Sequence, residues 1–442
     1  MLSFKRNGLF YYYLFLYLLQ ISWINLGSVP ISINYLFTVL ILFPTFSNRE
    51  FLPFTIVLFG VTNEFYINDT FFIINVSTFY GIVIVIWDLI SKKNIISNIN
   101  SYFLTFLFLM YCLMLEISMG NSLTIAEMPL YVRSFIWFYI FVFLINSKKS
   151  LELVFIGFIV STVALLTVHL FLNEALTASK LTTDELNNLD FVSTRDRNYL
   201  SFNFSMTYPI LLGIYLGFID LKSVKINKYL LIGIIGFTIL GIIALSSRTV
   251  IIVLILVTLA SIFVGLKKSS KSKNVQMFKK TISLIIIIIG VIFLAANQGY
   301  LNLLIYRIFE EGSLEDGSGR TDIVSVFWRN FNNLEFYKQF LGQGYGTQYK
   351  LTGGQDTHND YLAILASYGY LGIILWFIIL FRLIEFKNIS FPTIALIAYL
   401  IGSLGVSPMM VFSTPLFLAA AISYKSFFSN SDYTNEDYSY NK

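Results

Sequence analysis

Long apolar runs, broken by polar stretches that are mostly short, set the plan of this chain. A membrane helix needs about 20 predominantly apolar residues. Runs of that kind lie near 8–28, 30–46, 51–64, 71–90, 101–119, 130–146, 151–172, 199–219, 229–246, 248–266, 281–297, 361–384, 391–406 and 409–428. The run at 51–64 is short and reads equally as a re-entrant piece. Pro408 and Pro415 leave the division of 391–428 open, so about 12–14 transmembrane helices are expected. Two polar interruptions are longer, 173–198 and 298–360. Inside the second, Ile323, Val324, Phe327, Trp328, Phe331 and Leu334 recur at helical spacing and predict an amphipathic helix over 321–340. Such a helix lies in the membrane interface with Arg329 and Lys338 toward the headgroups, or packs on the membrane domain.

Composition agrees with the pattern. The chain is 56% hydrophobic and 12% charged, about half the charge of a soluble domain. The expected fold is an all-α polytopic membrane protein. It comprises a single transmembrane domain over 1–428, a large, partly helical external loop at 298–360, and a polar tail at 429–442 that reads as disordered and cytoplasmic. Lys5 and Arg6 precede an apolar run with no small-residue cleavage site after it, so an uncleaved first helix is expected. Cys112 is the only cysteine, which excludes an intrachain disulfide and a thiolate metal site and leaves a small apolar residue in a helix.

Charge placement adds orientation. With a cytoplasmic N-terminus, Arg49, Lys92, Lys93, Lys148, Lys149, Lys222, Lys225, Lys228, the lysines of 267–280 and Lys387 all fall on the inner side. The short outer loops 65–70 and 120–129 carry Asp69 and Glu127 and no basic residue. The net charge of +5 is thus topological, and no nucleic acid is implied as a partner. No phosphate-loop signature lies on the inner side, and no internal or inverted repeat of the kind common in transporters is visible.

The candidate chemistry therefore collects at the outer face. Arg320 stands at the predicted start of the amphipathic helix, an anion site if it is not paired with Asp316 or Asp322. The run Leu341-Gly342-Gln343-Gly344-Tyr345-Gly346 lets backbone approach a phosphate, or only makes a tight turn. His358 precedes a helix that Asn359 or Asp360 caps, and an imidazole there is a general-base candidate or incidental. Asp356 and Asp360 are placed to orient it. Arg248 follows Ser246 and Ser247 between two apolar runs, where an arginine is functional, paired, or snorkelling to headgroups. Arg195, Arg197 and Asn198 form a basic entrance before the run at 199–219, or pair internally with Asp190 or Asp196. Arg133 is explained by Glu127 or by snorkelling. His169 is far in sequence from His358, and Glu310, Glu311, Glu315 and Asp316 read as a solvated acidic turn, so neither a metal nor another cofactor is expected.

Ser318-Gly319-Arg320, the glycine run, His358-Asn359-Asp360-Tyr361-Leu362 and Tyr368-Gly369-Tyr370-Leu371-Gly372 follow one another in that order. This order resembles the external loop of the O-antigen ligase/polymerase family, over Ser318–Gly372. Ser246-Ser247-Arg248 and Asp196-Arg197-Asn198 are weaker points of likeness. The resemblance implies a GT-C-like membrane glycosyltransferase on the outer face of the cytoplasmic membrane, acting on undecaprenyl-diphosphate-linked oligosaccharide. By the same resemblance His358 is the base, Arg320 and Arg248 hold the diphosphate, and Arg195, Arg197, Asn198, Gly344, Asn359 and Asp360 bind substrate. A surface-polysaccharide polymerase, of capsule, exopolysaccharide or O-antigen, is the expected activity, inverting and metal-independent. A ligase moving finished glycan to another acceptor is the nearest alternative, and a flippase or other transporter the rival of another class. Membrane lipid, a chain-length regulator and a flippase of the same pathway are the implied partners.

Overall fold

The computed structural model describes residues 3–4, 8–24, 31–66, 76, 79–84, 86, 99–120, 130–168, 197–222, 224–245, 247–272, 275–309, 320–355, 357–384, 390–405, 409 and 412–428. The described chain is helical apart from turns and one two-residue antiparallel pair, Ser3–Phe4 with Val224–Lys225. The helices are α1 (Gly8–Ile24), α2 (Ile31–Leu42), α3 (Leu52–Tyr66), α4 (Ile99–Ser118), α5 (Leu130–Leu144), α6 (Lys148–Thr167), α7 (Arg197–Leu216), α8 (Lys228–Leu245) and α9 (Arg248–Ser272). Then come α10 (Val275–Asn297), α11 (Tyr300–Phe309), α12 (Arg320–Asn332), α13 (Phe336–Leu341), α14 (Thr347–Leu351), α15 (Asp360–Phe381), α16 (Phe391–Gly402) and α17 (Ser413–Phe428). Helices are the outcome that a bilayer forces on such apolar runs, because each backbone group must find its partner within the segment.

Five of these, α6, α8, the first 20 residues of α9, α10 and α15, are long and apolar enough to cross a membrane alone. Each of the other expected spans except 71–90 coincides with a described helix of 12–20 residues. That stretch lies mostly outside the described residues, as does the tail. The run at 51–64 lies in a helix whose described side chains, residues 51–61, are all buried in the core, with α3 packed along α6. The contact is close, since a Cβ on Gly157 would meet Val57 at 3.2 Å. A helix sheathed by protein needs no lipid-facing length. α10 is the opposite case, with Ile285, Ile286, Ile289 and Phe293 exposed as a lipid-facing surface.

The bundle has two chemically distinct ends. At one, Ser3–Phe4 pairs with Val224–Lys225, and Lys149 Nζ lies 2.6 Å from Glu50 Oε2. There too Tyr424 donates to the Phe218 carbonyl, Lys425 Nζ donates to the Ile384 carbonyl at 3.0 Å, and Lys148 lies over the Phe428 ring. Each contact joins two segments that the lysine pattern assigns to one face. At the other end, segments assigned to the opposite face meet. Tyr131 bonds Asp360, Glu116 bonds the Tyr345 amide, and Asn359 bonds the Leu404 carbonyl.

The amphipathic stretch is not one helix. It divides into α12 and α13 at Asn333–Glu335. Gln339 Nε2 donates to the carbonyls of Asn332 and Leu334, which satisfies acceptors freed at the end of α12. Phe327 and Phe331 are fully buried against Leu362, Leu365 and Ala366 of α15. Of the two placements open to this helix, α12 takes the one packed on protein.

Candidate functional site

The turn that carries His358 is built from buried polar contacts. Asn359 caps α15, its side chain accepting from the amides of Tyr361 (2.9 Å) and Leu362 (3.2 Å). Its own Nδ2 donates to the Leu404 carbonyl at 3.3 Å. Asp360 is fully buried. One carboxylate oxygen accepts from Tyr131 OH at 2.7 Å, and the other from Tyr399 OH at 3.2 Å and the Met409 amide at 3.0 Å. The Asp360 amide donates to the Ser403 carbonyl at 3.2 Å. One side chain thus ties α15 to α5, α16 and the segment before α17. His358, just before this knot, is half-buried and has φ +45°, the one positive value among described residues other than glycine. Such a conformation persists only where the surroundings over-determine it, and it gathers at functional sites.

The expected contact of Asp360 with substrate needs correction on this geometry. Its oxygens are committed to protein donors in a site closed to solvent, so it holds the histidine turn from behind.

The turn Ser403–Gly405, which receives Asn359 and Asp360, is also where α7 and α9 arrive. A Cβ on Gly405 would meet Thr249 Oγ1 at 2.0 Å, and one on Gly402 would meet the Phe202 ring at 1.9 Å. The first turn of α9 therefore borders the same turn as the histidine, and the second turn of α7 packs on Gly402, the residue just before it. Arg248 is the first residue of α9 and is half-buried. Arg197 and Asn198 open α7, though their side chains, like those of Arg195 and Arg320, lie outside the described residues. Arg320 opens α12. Three helices that start with arginine oppose the rule that cations are favoured at the C-terminus, at about 0.3–1 kcal/mol each. Helix stability does not explain that placement. Asp356 and the acidic turn at 310–316 also lie outside the described residues.

The glycine run is used for packing. α15 is interrupted at Gly369, which has φ +64° and ψ −170°. The carbonyls released there take the loop: Ser367 O accepts from the amides of Gln343 (3.1 Å) and Gly344 (2.8 Å), and Tyr368 O accepts from Tyr111 OH at 3.0 Å. Backbones touch, so that a Cβ on Gly342 would lie 2.4 Å from Ser367 O and one on Gly369 2.4 Å from Phe340 O. The Gly344 amide expected to face phosphate is thus committed to α15. Gly369→Ala combines a left-handed backbone with a backbone clash, and should cost on the order of 2–4 kcal/mol. Thermal unfolding in detergent should show a midpoint several degrees lower, while Gly353→Ala, at another left-handed glycine with open space around it, should move it less.

Glu116 is the residue that sequence reasoning missed. It is fully buried near the end of α4, and both its carboxylate oxygens accept from the Tyr345 amide, at 2.9 and 3.2 Å. Together with Tyr111, which also bonds the Tyr368 carbonyl, it holds the glycine run against α15. A single carboxylate inside the apolar run Leu113-Met114-Leu115-Glu116-Ile117 was the available signal, since an acid at that depth needs a specific partner.

An imidazole fixed on a rigid turn, beside helix starts rich in arginine, can take a proton from a hydroxyl while a nearby anion is held. Residues 233–377 match the family model described as O-antigen ligase, which supports an O-antigen ligase/polymerase-like family for this chain. No curated protein and no solved structure matches it.

Proposed function

From an O-antigen ligase/polymerase-like family assignment, and from the histidine turn set beside the starts of α7 and α9, we propose a surface-polysaccharide repeat-unit polymerase. It acts on the outer face of the cytoplasmic membrane, with both termini in the cytoplasm and the 298–360 loop outside. The growing glycan leaves its undecaprenyl-diphosphate carrier as a hydroxyl of the next lipid-linked repeat unit attacks the anomeric carbon. His358 takes the hydroxyl proton. Arg248 and Arg320 hold the diphosphate as it departs, with Arg195 or Arg197 and Asn198 at the entrance. Displacement in a single step inverts the anomeric centre. The observation that carries the proposal is the Ser403–Gly405 turn, which joins the His358 segment to the first turn of α9, with α7 packed on the adjoining Gly402, although these segments are distant in sequence.

Asp360 and Asn359 act as positioning residues. Asp360→Asn keeps the shape but replaces an acceptor oxygen with a donor facing other donors, a loss of about 1–3 kcal/mol. Its turnover should fall with little change in KM, the mark of a misplaced base rather than lost binding. The arginines supply the positive charge at the leaving group, so activity should survive an excess of a divalent-cation chelator. Loss of activity restored by added Mg²⁺ would contradict this.

The deciding assay presents purified protein in liposomes with one lipid-diphosphate-linked repeat unit and no other acceptor. A ladder of longer lipid-linked glycans identifies a polymerase. Transfer that begins only when a separate acceptor is added identifies a ligase, and neither result from folded protein returns transport to the front.

A further inference from the structure

We propose that α13 is an interfacial anchor whose aromatic face rests on the acyl chains of the outer leaflet, setting the height of the histidine turn. α13 leaves Phe336 75%, Tyr337 58%, Phe340 39% and Leu341 40% exposed, a dense apolar surface for a six-residue helix. It is not loosely attached. Its C-terminal residue is bonded through its carbonyl to Tyr111, and the Phe340 carbonyl lies against Gly369.

Those attachments say what covers the exposed face. Tyr111 belongs to α4, whose exposed residues include Phe106, Met110, Met114 and Ile117. Below Gly369, α15 exposes Ile374, Ile378 and Phe381. The α13 surface continues both of these lipid-facing strips, and a patch of this kind on a membrane helix bundle is covered by lipid. Two independent rulers give its level. From Asp360 to Gly369, α15 rises about 13 Å, and from Tyr111 to Ser118, α4 rises about 10 Å. Both place Leu341 on the membrane side of the His358 turn. Charge agrees, because Lys338 and Glu335 pair at 3.1 Å and leave α13 neutral, with Lys338 also over the Tyr337 ring. Asn332, which ends α12, and Asn333, in the turn before α13, are exposed toward headgroups and water.

With α13 at the boundary between headgroups and acyl chains, the histidine turn stands about 13 Å outward, roughly 6 Å beyond a headgroup layer about 5–7 Å thick. A lipid-linked diphosphate lies within that layer and its first sugar just beyond. This last consequence rests on the proposed polymerase reaction; the anchor itself does not.

The test uses single cysteines at Phe336, Tyr337 and Phe340 in a Cys112→Ser background, spin-labelled and reconstituted in liposomes. Asn333 and Lys350 serve as water-facing controls. Collision with oxygen should exceed collision with a water-soluble nickel chelate at the three α13 sites, with the reverse at the controls. Labels at α13 that favour the nickel chelate overturn the proposal, as does shielding from both reagents with dipolar broadening between copies, which would make the face a dimer contact. No substrate is present, so this result stands apart from the success or failure of the reaction.

Discussion

His358→Ala should reduce glycan transfer about 10²- to 10⁴-fold while the protein remains folded in the membrane, the range lost with a general base. His358 lies outside the Asp360 knot, so its removal leaves the bonds to Tyr131, Tyr399 and Met409 in place. Its side chain is half-buried, and alanine leaves no large cavity there. The loss should therefore appear in turnover and leave the unfolding midpoint within a few degrees of wild type. His358→Gly, which suits the left-handed backbone at φ +45°, should be as inactive as alanine. If the glycine variant kept wild-type turnover, the residue would be serving the turn and not the reaction.

Arg248→Lys should lower transfer on the order of 10²-fold despite keeping the charge. Lysine is a point charge and cannot offer the paired, planar donors that a diphosphate accepts. As the first residue of α9, either cation opposes the helix dipole equally, so helix stability is unchanged by the substitution. Arg320→Ala should be at least as damaging, with the added loss of charge. An Arg248→Lys protein with full activity would show that only a positive potential is required there, and would remove the bidentate grip from the mechanism.

Much of the architecture was legible because a bilayer permits few solutions. Apolar runs must be helices, and the lysines of 148–149, 222–228 and 267–280 mark one end. That same end is joined by Lys149 to Glu50, Lys425 to Ile384 and the Ser3–Phe4 pair. The charge pattern put His358, Arg248 and the start of α7 on one face, and their shared role came only through resemblance. Their meeting place, Ser403–Gly405, has no side chain that announces it, since its work is done by two backbone carbonyls and by Gly405, which gives Thr249 room. Asp360 read as a cap or an orienting acid because its partners come from α5, α16 and residue 409, none of them near it in sequence. The glycine run read as a phosphate cradle or a tight turn for a similar reason. Its partner is the interruption at Gly369, and only their juxtaposition shows that both are needed for two backbones to touch. The break between α12 and α13 escaped the helical period because Leu334 continues the apolar spacing across it.

In the reaction we propose, the cluster around His358 cleaves the bond between a glycan and a lipid diphosphate. The most direct test is phosphorus NMR of proteoliposomes holding wild-type protein and one lipid-diphosphate-linked oligosaccharide. Free polyprenyl diphosphate should accumulate as the glycosylated diphosphate signal falls, and neither change should occur with His358→Ala. A donor signal that stays constant with folded wild-type protein and the cognate substrate, with or without a separate acceptor, would contradict the account.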